Sequence, residues 1–202
     1  MTRVVCLFSG CLLAAAVANI AAAQGPPPQG PVGTAVALQR GYAQLKNNVT
    51  LSAEKLADAD YFFKPTADIR GFGQLWAHVA DAQFGMCSGA KGAANPRQGQ
   101  PSFEQLTTKA DVQKAVADSF AFCDDAFSSL TEAGVQEMIS NGRGGQQTRA
   151  AALLGVLQHG NEMYGIGTVY IRLKGGVPPS TELFMRGRGA PGGGRGGEGR
   201  GR

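Results

Sequence analysis

The sequence predicts an all-α protein, a bundle of four helices, and three observations support this fold class. Four stretches carry apolar residues at spacings of three and four, the periodicity of an amphipathic helix. Breaks rich in glycine and proline separate them, and no stretch convincingly indicates a strand. A chain of 202 residues has the length of one domain, in which four such helices bury their apolar faces against one another.

The two ends of the chain are expected to lie outside the bundle. Residues 1–23 combine an early arginine, an apolar run and a final Ala-Ala-Ala, which predicts a secretory signal peptide and a periplasmic or secreted protein. An N-terminal membrane anchor and a lipoprotein cleaved before Cys11 are the alternatives. Residues 24–35 indicate a Pro/Gly linker, 36–182 the bundle, and 183–202 a disordered Gly/Arg-rich tail.

Charge indicates no partner for the bundle itself. The chain carries a net charge of +4, and its last twenty residues hold five arginines and one glutamate. The tail therefore accounts for the basic character, and the body is close to neutral. Export makes nucleic acid an unsuitable partner, so the tail is interpreted as solubilising, and no membrane contact is expected after signal cleavage.

The first three helices follow one another with clear breaks. Helix one is predicted to end near Asp60, ahead of Lys64-Pro65, because proline and its predecessor resist helix. Helix two is predicted to end among Gly89, Gly92 and Asn95-Pro96. Helix three begins at Thr108, which with Asp111 resembles a capping box. The predicted apolar faces are Leu38, Tyr42, Leu45, Val49, Ser52 and Leu56; Phe72, Leu75, Val79, Ala82 and Met86; and Val112, Val116, Phe120, Cys123, Phe127 and Leu130.

The fourth helix is predicted over residues 147–174, with one stripe of Ala152, Val156, His159, Met163, Ile166, Tyr170 and Leu173. Gly155, Gly160, Gly165 and Gly167 interrupt it, at a cost of about 1 kcal/mol each. Four such costs in one helix predict the close approach of neighbouring helices.

Two cysteines, Cys87 and Cys123, remain after signal cleavage. In an oxidising compartment they would form a disulfide contributing roughly 3–4 kcal/mol, and two buried thiols are the alternative. Spacing alone does not decide between them.

The two histidines of the chain, His78 and His159, lie on helices two and four. Met163 follows His159 by four residues and therefore projects from the same helical face. Three side chains from two facing helices form a sound metal site with an open position. Asp81 and Glu162 each lie three residues beyond a histidine, where they could ligate, orient a ring or act as general base, although an isolated carboxylate usually lies on a solvated face.

Two groups of motifs resemble the DinB-like superfamily. Residues 63–66 (FKPT), 72–75 (FGQL) and 78–83 (HVADAQ) resemble its second-helix motif, and residues 159–165 (HGNEMYG) with 169–179 (VYIRLKGGVPP) resemble its last-helix motif. The resemblance implies a four-helix bundle that holds a metal through one histidine of helix two and two of the last helix. Members include metal-dependent thiol transferases and hydrolase-like proteins, many have no known activity, and homodimers are frequent.

Carried over residue by residue, the resemblance places His78 and His159 at two ligand positions and Met163 at the third, where the family has histidine. A thioether suits zinc or nickel poorly and Cu(I) better. Three interpretations stay open: a divalent site of His78 and His159 completed by Glu162, Asp81 or water; a site without metal, in which Met163 fills the core; and a His/His/Met copper site. The corresponding functions are a metal-dependent hydrolase or thiol transferase, and a non-catalytic bundle that binds a small ligand or a protein partner.

Overall fold

The computed structural model describes residues 31–189; the predicted signal peptide, most of the predicted linker and the end of the tail lie outside this range. Five α-helices are described, with a short antiparallel hairpin ahead of the fourth. The helices are α1 Thr34–Glu54, α2 Phe72–Lys91, α3 Lys109–Ser128, α4 Arg149–Leu173 and α5 Pro179–Gly189, and the strands are β1 Met138–Ser140 and β2 Gln146–Thr148.

The four long helices form a bundle around one apolar core, which confirms the predicted all-α fold class. Both α1 and α2 pack against α3 and α4, whereas α1 and α2 touch each other little. The pair α1 and α2 is therefore diagonal, and α2 and α4, which carry the two histidines, are neighbours. Tyr61, Phe72, Trp76, Phe120 and Phe127 are the largest side chains of the fully buried core.

The prediction that helix one continues to Asp60 is wrong, because α1 ends at Glu54 and a single 3-10 turn follows at Asp58–Asp60. The last carbonyls of α1 are satisfied from outside the helix. The Tyr61 hydroxyl donates to the Ala53 carbonyl at 2.9 Å, and the Lys109 ammonium donates to the Glu54 carbonyl at 3.3 Å. These tertiary donors replace the next helical turn.

The other predicted helix ends agree with the structure. The Thr108 hydroxyl accepts a hydrogen bond from the Asp111 amide at 3.2 Å and caps α3. Gly92 ends α2 with φ of 65°, the left-handed conformation that glycine adopts without steric penalty.

Two elements were not predicted. The hairpin has strands of three residues, too short to show alternation, and Gly142 at φ 70° and Gly144 at φ 84° shape its turn. The second is α5, whose helix extends to Gly189. Part of the segment expected to be disordered, residues 183–189, is therefore helical. A 2.6 Å ion pair between Lys55 and Glu182 fastens α5 to the end of α1.

The apolar faces were predicted with the correct helical period, but some predicted faces are rotated about the helix axis from the buried ones. Met86, Ile166 and Leu173 were assigned to buried faces but are exposed. The buried arc of α4 is wide, since this helix contacts both α1 and α2. It runs through Leu153, Val156, Leu157, Gly160, Met163, Tyr164, Gly167, Tyr170 and Ile171.

Two of the four glycines of α4 explain how closely the helices approach. A Cβ atom at Gly160 would lie 2.5 Å from a methyl group of Leu45, and one at Gly167 would lie 2.3 Å from the indole of Trp76. Gly155 and Gly165 have no such neighbour within 4 Å. The predicted close approach therefore holds for Gly160 and Gly167 alone.

A disulfide joins Cys87 of α2 to Cys123 of α3, with their Cα atoms 5.4 Å apart. Both residues are fully buried in the core. The alternative of two free thiols is wrong. In the part of the chain that the structure describes, no helix is both long enough and apolar enough to cross a bilayer.

Candidate metal centre

The two histidine rings meet at the groove between α2 and α4. Their Nε2 atoms lie 3.2 Å apart, with the ring planes at 60° to each other. Both residues are half-buried. Two nitrogen atoms that each lie 2.0–2.1 Å from one zinc ion at a tetrahedral angle are about 3.3 Å apart. The spacing of the two Nε2 atoms is that of a hydrogen bond between the rings, and it also fits a shared metal ion.

The far side of the His78 ring is held by a carboxylate. Nδ1 of His78 lies 2.8 Å from Oε1 of Glu104, and Nε of Arg70 donates to Oε2 of the same carboxylate at 2.9 Å. An ionised carboxylate only accepts hydrogen bonds, so the proton of a neutral His78 lies on Nδ1. Its Nε2 lone pair then faces His159. A ring oriented in this way is the usual arrangement of a metal-ligating histidine.

The segment that carries Glu104 is fixed by Asp81. The Asp81 carboxylate accepts hydrogen bonds from the Ser102 hydroxyl at 2.7 Å and from the Phe103 amide at 2.8 Å. These bonds anchor a 3-10 turn at Phe103–Gln105 against α2. Asp81, which the sequence placed as a ligand, an orienting group or a base, thus binds the connection that supplies Glu104. Its described contacts include neither histidine ring.

Electrostatics keep Glu104 charged and His159 neutral at pH 7. Burial raises the pKa of Glu104, but the hydrogen bonds from Arg70 and His78 and the charge of Arg70 together bring that pKa below its usual value. Burial also lowers the pKa of His159, a protonated His78 and Arg70 lower it further, and the charge of Glu162 opposes them. A neutral imidazole is the form that ligates a metal.

Met163 and Glu162, two further candidate ligands, differ in their burial. Met163 is 8% exposed, belongs to the hydrophobic core and also borders a cleft beside the histidines. Glu162 is exposed, and its negative charge acts to raise the pKa of His159. Among residues 31–189, no group of three His, Cys, Asp or Glu side chains is arranged to hold a metal ion.

The cleft next to the histidines has a volume of about 610 Å³. It opens between the connection that precedes α2 and the second half of α4. Glu104 and Met163 form the part of its wall nearest the histidines. The remaining lining residues are Lys64, Ala67, Asp68, Ile69, Arg70, Gln74, Leu75, Ile166 and Tyr170.

Glu104 is the residue that sequence reasoning missed. It lies in the connection between α2 and α3, 26 positions beyond His78, and no periodicity relates the two. The one available signal was an acidic residue after Ser102, which caps the 3-10 turn by accepting from the Glu104 amide.

Comparisons with known proteins agree with this architecture. A DinB-like protein from Bacillus cereus ATCC 10987 has a similar structure, with a TM-score of 0.58 and 16% sequence identity over 70% of this chain and 93% of that one. A DinB-like protein from Bacillus subtilis gives a TM-score of 0.55 and 21% identity over 69% and 92%. At these identities the likeness concerns the fold. No curated protein matches the chain significantly.

The model of the DinB superfamily matches residues 42–165, a range that includes α2, α3 and both histidines. The chain belongs to the DinB superfamily.

Proposed function

We propose that this protein binds one divalent metal ion, zinc or nickel, between Nε2 of His78 and Nε2 of His159. The 3.2 Å separation of these two atoms is the observation that carries the proposal. The bond between Glu104 and His78 supports it, because this bond puts the proton of a neutral His78 on Nδ1 and leaves the lone pair of Nε2 directed at His159. The resemblance to the DinB superfamily puts Met163 at the third ligand position, where its thioether would favour Cu(I) as the alternative occupant.

When bound, such a metal supplies Lewis acidity to a hydrolytic or thiol-transfer reaction on a small molecule. The surrounding residues of the chain would hold the metal and orient its ligands. Glu104 holds the proton on Nδ1 of His78, and Arg70 holds the second oxygen of Glu104. Asp81 fixes the turn that presents Glu104. Glu162, exposed beside His159, is the candidate general base.

Metal titration of the untagged protein, with its disulfide intact, tests the proposal. We expect one equivalent of zinc or nickel, with binding lost in His159→Ala and weakened about 10- to 100-fold in Glu104→Gln. Met163→His restores the family residue and should raise the affinity. Gln158→Ala changes an exposed neighbour on the same helical turn and serves as the control.

Failure of both the wild type and Met163→His to bind any metal would contradict the proposal. Binding by Met163→His alone would favour the non-catalytic alternative, a bundle one ligand short that binds a small ligand or a partner. The burial of Met163 in the core is the observation in favour of that alternative.

We also propose that the protein is exported to the periplasm or beyond. Residues 1–23 have the pattern of a signal peptide, and the disulfide between Cys87 and Cys123 is of the kind that persists in oxidising compartments. Fractionation of expressing cells checks this, and recovery of the full-length chain with free thiols in the cytoplasm would refute it.

A further inference from the structure

The cleft beside the histidines has the composition of a binding site for a small amphipathic molecule. Ile69 and Ile166 are each 41% exposed, and both line this cleft. Exposed apolar side chains that are scattered singly over a surface are common and need no ligand. Several that converge on one concavity indicate a binding site. Leu75 and Met163 lie beneath them, almost completely buried.

Some of the charged groups at the rim are not engaged by the protein itself. Within the described residues, the ammonium of Lys64 makes no hydrogen bond or ion pair. Arg70 uses only Nε, for Glu104, so its two terminal amino groups are free. Both oxygens of Glu104 are taken, by Arg70 and His78. Asp68 is the one acidic group at the rim without a partner in this range.

The charge of Arg70 reaches the wall of the cleft despite its ion pair with Glu104. Tyr170 lines the cleft together with Arg70. Burial raises the pKa of Tyr170, and the charge of Arg70 acts against this increase. A fixed negative charge is stabilised beside such a cation.

We propose that the cleft binds a small organic carboxylate, whose apolar body lies against Ile69, Leu75 and Ile166 and whose carboxylate is bound by Lys64 and the free amino groups of Arg70. This inference rests on the proposed metal site only for the idea that the ligand is a substrate. The planar fork of a guanidinium matches a carboxylate, and a volume of about 610 Å³ suits a molecule of this size. The end of the ligand nearest Glu104 and Met163 faces the histidines.

Calorimetric titration of the metal-free, full-length protein with three matched probes tests the ligand class. The probes are 4-phenylbutyrate, 4-phenylbutyramide and 4-phenylbutylamine, which share an apolar body and differ in charge. We expect the carboxylate to bind about tenfold more tightly than the amide, and the amine to bind most weakly. Equal affinities, a preference for the amine, or no binding of any probe would overturn the proposal.

Surface variants assign the contribution of each group without disturbing the core. Lys64→Gln should weaken the carboxylate about five- to tenfold and leave the amide unchanged, whereas Asp68→Asn should strengthen the carboxylate about twofold. Ile166→Ser should weaken both. Lys114→Gln is the control, because Lys114 lies on α3 and pairs with Asp118. Tighter binding of the carboxylate by Lys64→Gln together with weaker binding by Asp68→Asn would overturn the proposal, because the cleft would then select a cation.

The two proposals fail separately. Metal binding is measured without the probes, and probe binding is measured without metal. Binding of the carboxylate without binding of metal would support the proposed cleft and contradict the proposed metal site. Binding of metal without binding of the carboxylate would contradict the proposed cleft alone.

Discussion

Replacing Gly167 by alanine tests the closest contact between α2 and α4, the two helices that carry the histidines. A Cβ atom at this position would lie 2.3 Å and 2.4 Å from two carbon atoms of Trp76. Carbon atoms at their optimum lie about 3.5–4.0 Å apart, so the methyl group and the indole must separate by more than about 1 Å. Trp76 is fully buried and packs edge-on against Phe72 with ring centroids 5.5 Å apart, so it has little room to move.

The expected change in the free energy of unfolding follows from two opposing effects. Overpacking of a well-packed core destabilises by about 1–3 kcal/mol, and a clash with an immobile ring belongs at the upper end. Alanine in place of a helical glycine stabilises by about 1 kcal/mol. We therefore expect Gly167→Ala to lower the free energy of unfolding by about 2 kcal/mol and the melting temperature by roughly 4–8 °C.

Gly165→Ala is the matched control on the same helix. No atom lies within 4 Å of a Cβ at Gly165, so this variant should gain about 1 kcal/mol from helix propensity alone. Urea unfolding followed by circular dichroism, with the disulfide kept oxidised, measures both. A Gly167→Ala protein as stable as the Gly165→Ala protein would refute the contact.

Two further predictions concern the core away from the histidines. Reducing the disulfide between Cys87 and Cys123, or replacing both residues by alanine, should lower the free energy of unfolding by about 4 kcal/mol on the chain-entropy model, measured by urea unfolding with and without reductant. An unchanged transition midpoint would contradict this. Burial raises the pKa of Tyr42, as do its hydrogen bond to Asp124 and the charge of that residue. Because the folded state holds Tyr42 in its neutral form, this residue contributes to the free energy of unfolding. The contribution is complete below about pH 10 and is lost as the pH rises further. Tyrosinate absorbance at 295 nm should therefore rise with unfolding, and Tyr42→Phe should reduce the alkaline loss of stability. Ionisation of Tyr42 in the folded protein would contradict the prediction.

Local patterns were sufficient to predict the helices, because each has its own period and its own ends. Thr108 and Gly92 are start and stop signals that act within one turn, and both do so in the structure. The end of α1 was not predictable in this way. It depends on Tyr61 and Lys109, which donate to the carbonyls of Ala53 and Glu54 from other parts of the chain.

The centre of the buried face of α4 also depends on tertiary structure. A spacing of three and four fixes the period of a helix but leaves its rotation open by roughly one residue, or about 100°. Because α4 packs against two helices, its buried arc is wide, and Ile166 falls outside it. His159 lies at the edge of this arc, half-buried, where it meets His78.

The structure brings the two histidines into contact, but their environment was not predicted. Asp81 lies one turn from His78, so sequence spacing favoured it as the residue that orients the ring. In the structure Asp81 binds Ser102 and Phe103, and Glu104 takes the orienting role. Which carboxylate reaches a ring is decided by the path of a seventeen-residue connection between Lys91 and Lys109, and no local rule gives that path.

The series of Arg70, Glu104, His78 and His159 is difficult to explain as a device for stability. Half-buried charges lose hydration, and their mutual attraction often does no more than offset that loss. Apolar side chains at the positions of the two rings would pack the same groove with less desolvation. The polar series instead fixes one tautomer of His78, keeps His159 neutral and directs both Nε2 atoms to one point. These consequences are the ones that the proposed metal site requires, and the bundle requires none of them. Under that proposal, the change at Met163 would alter the strength and the metal preference of the site, while its orienting groups are in place.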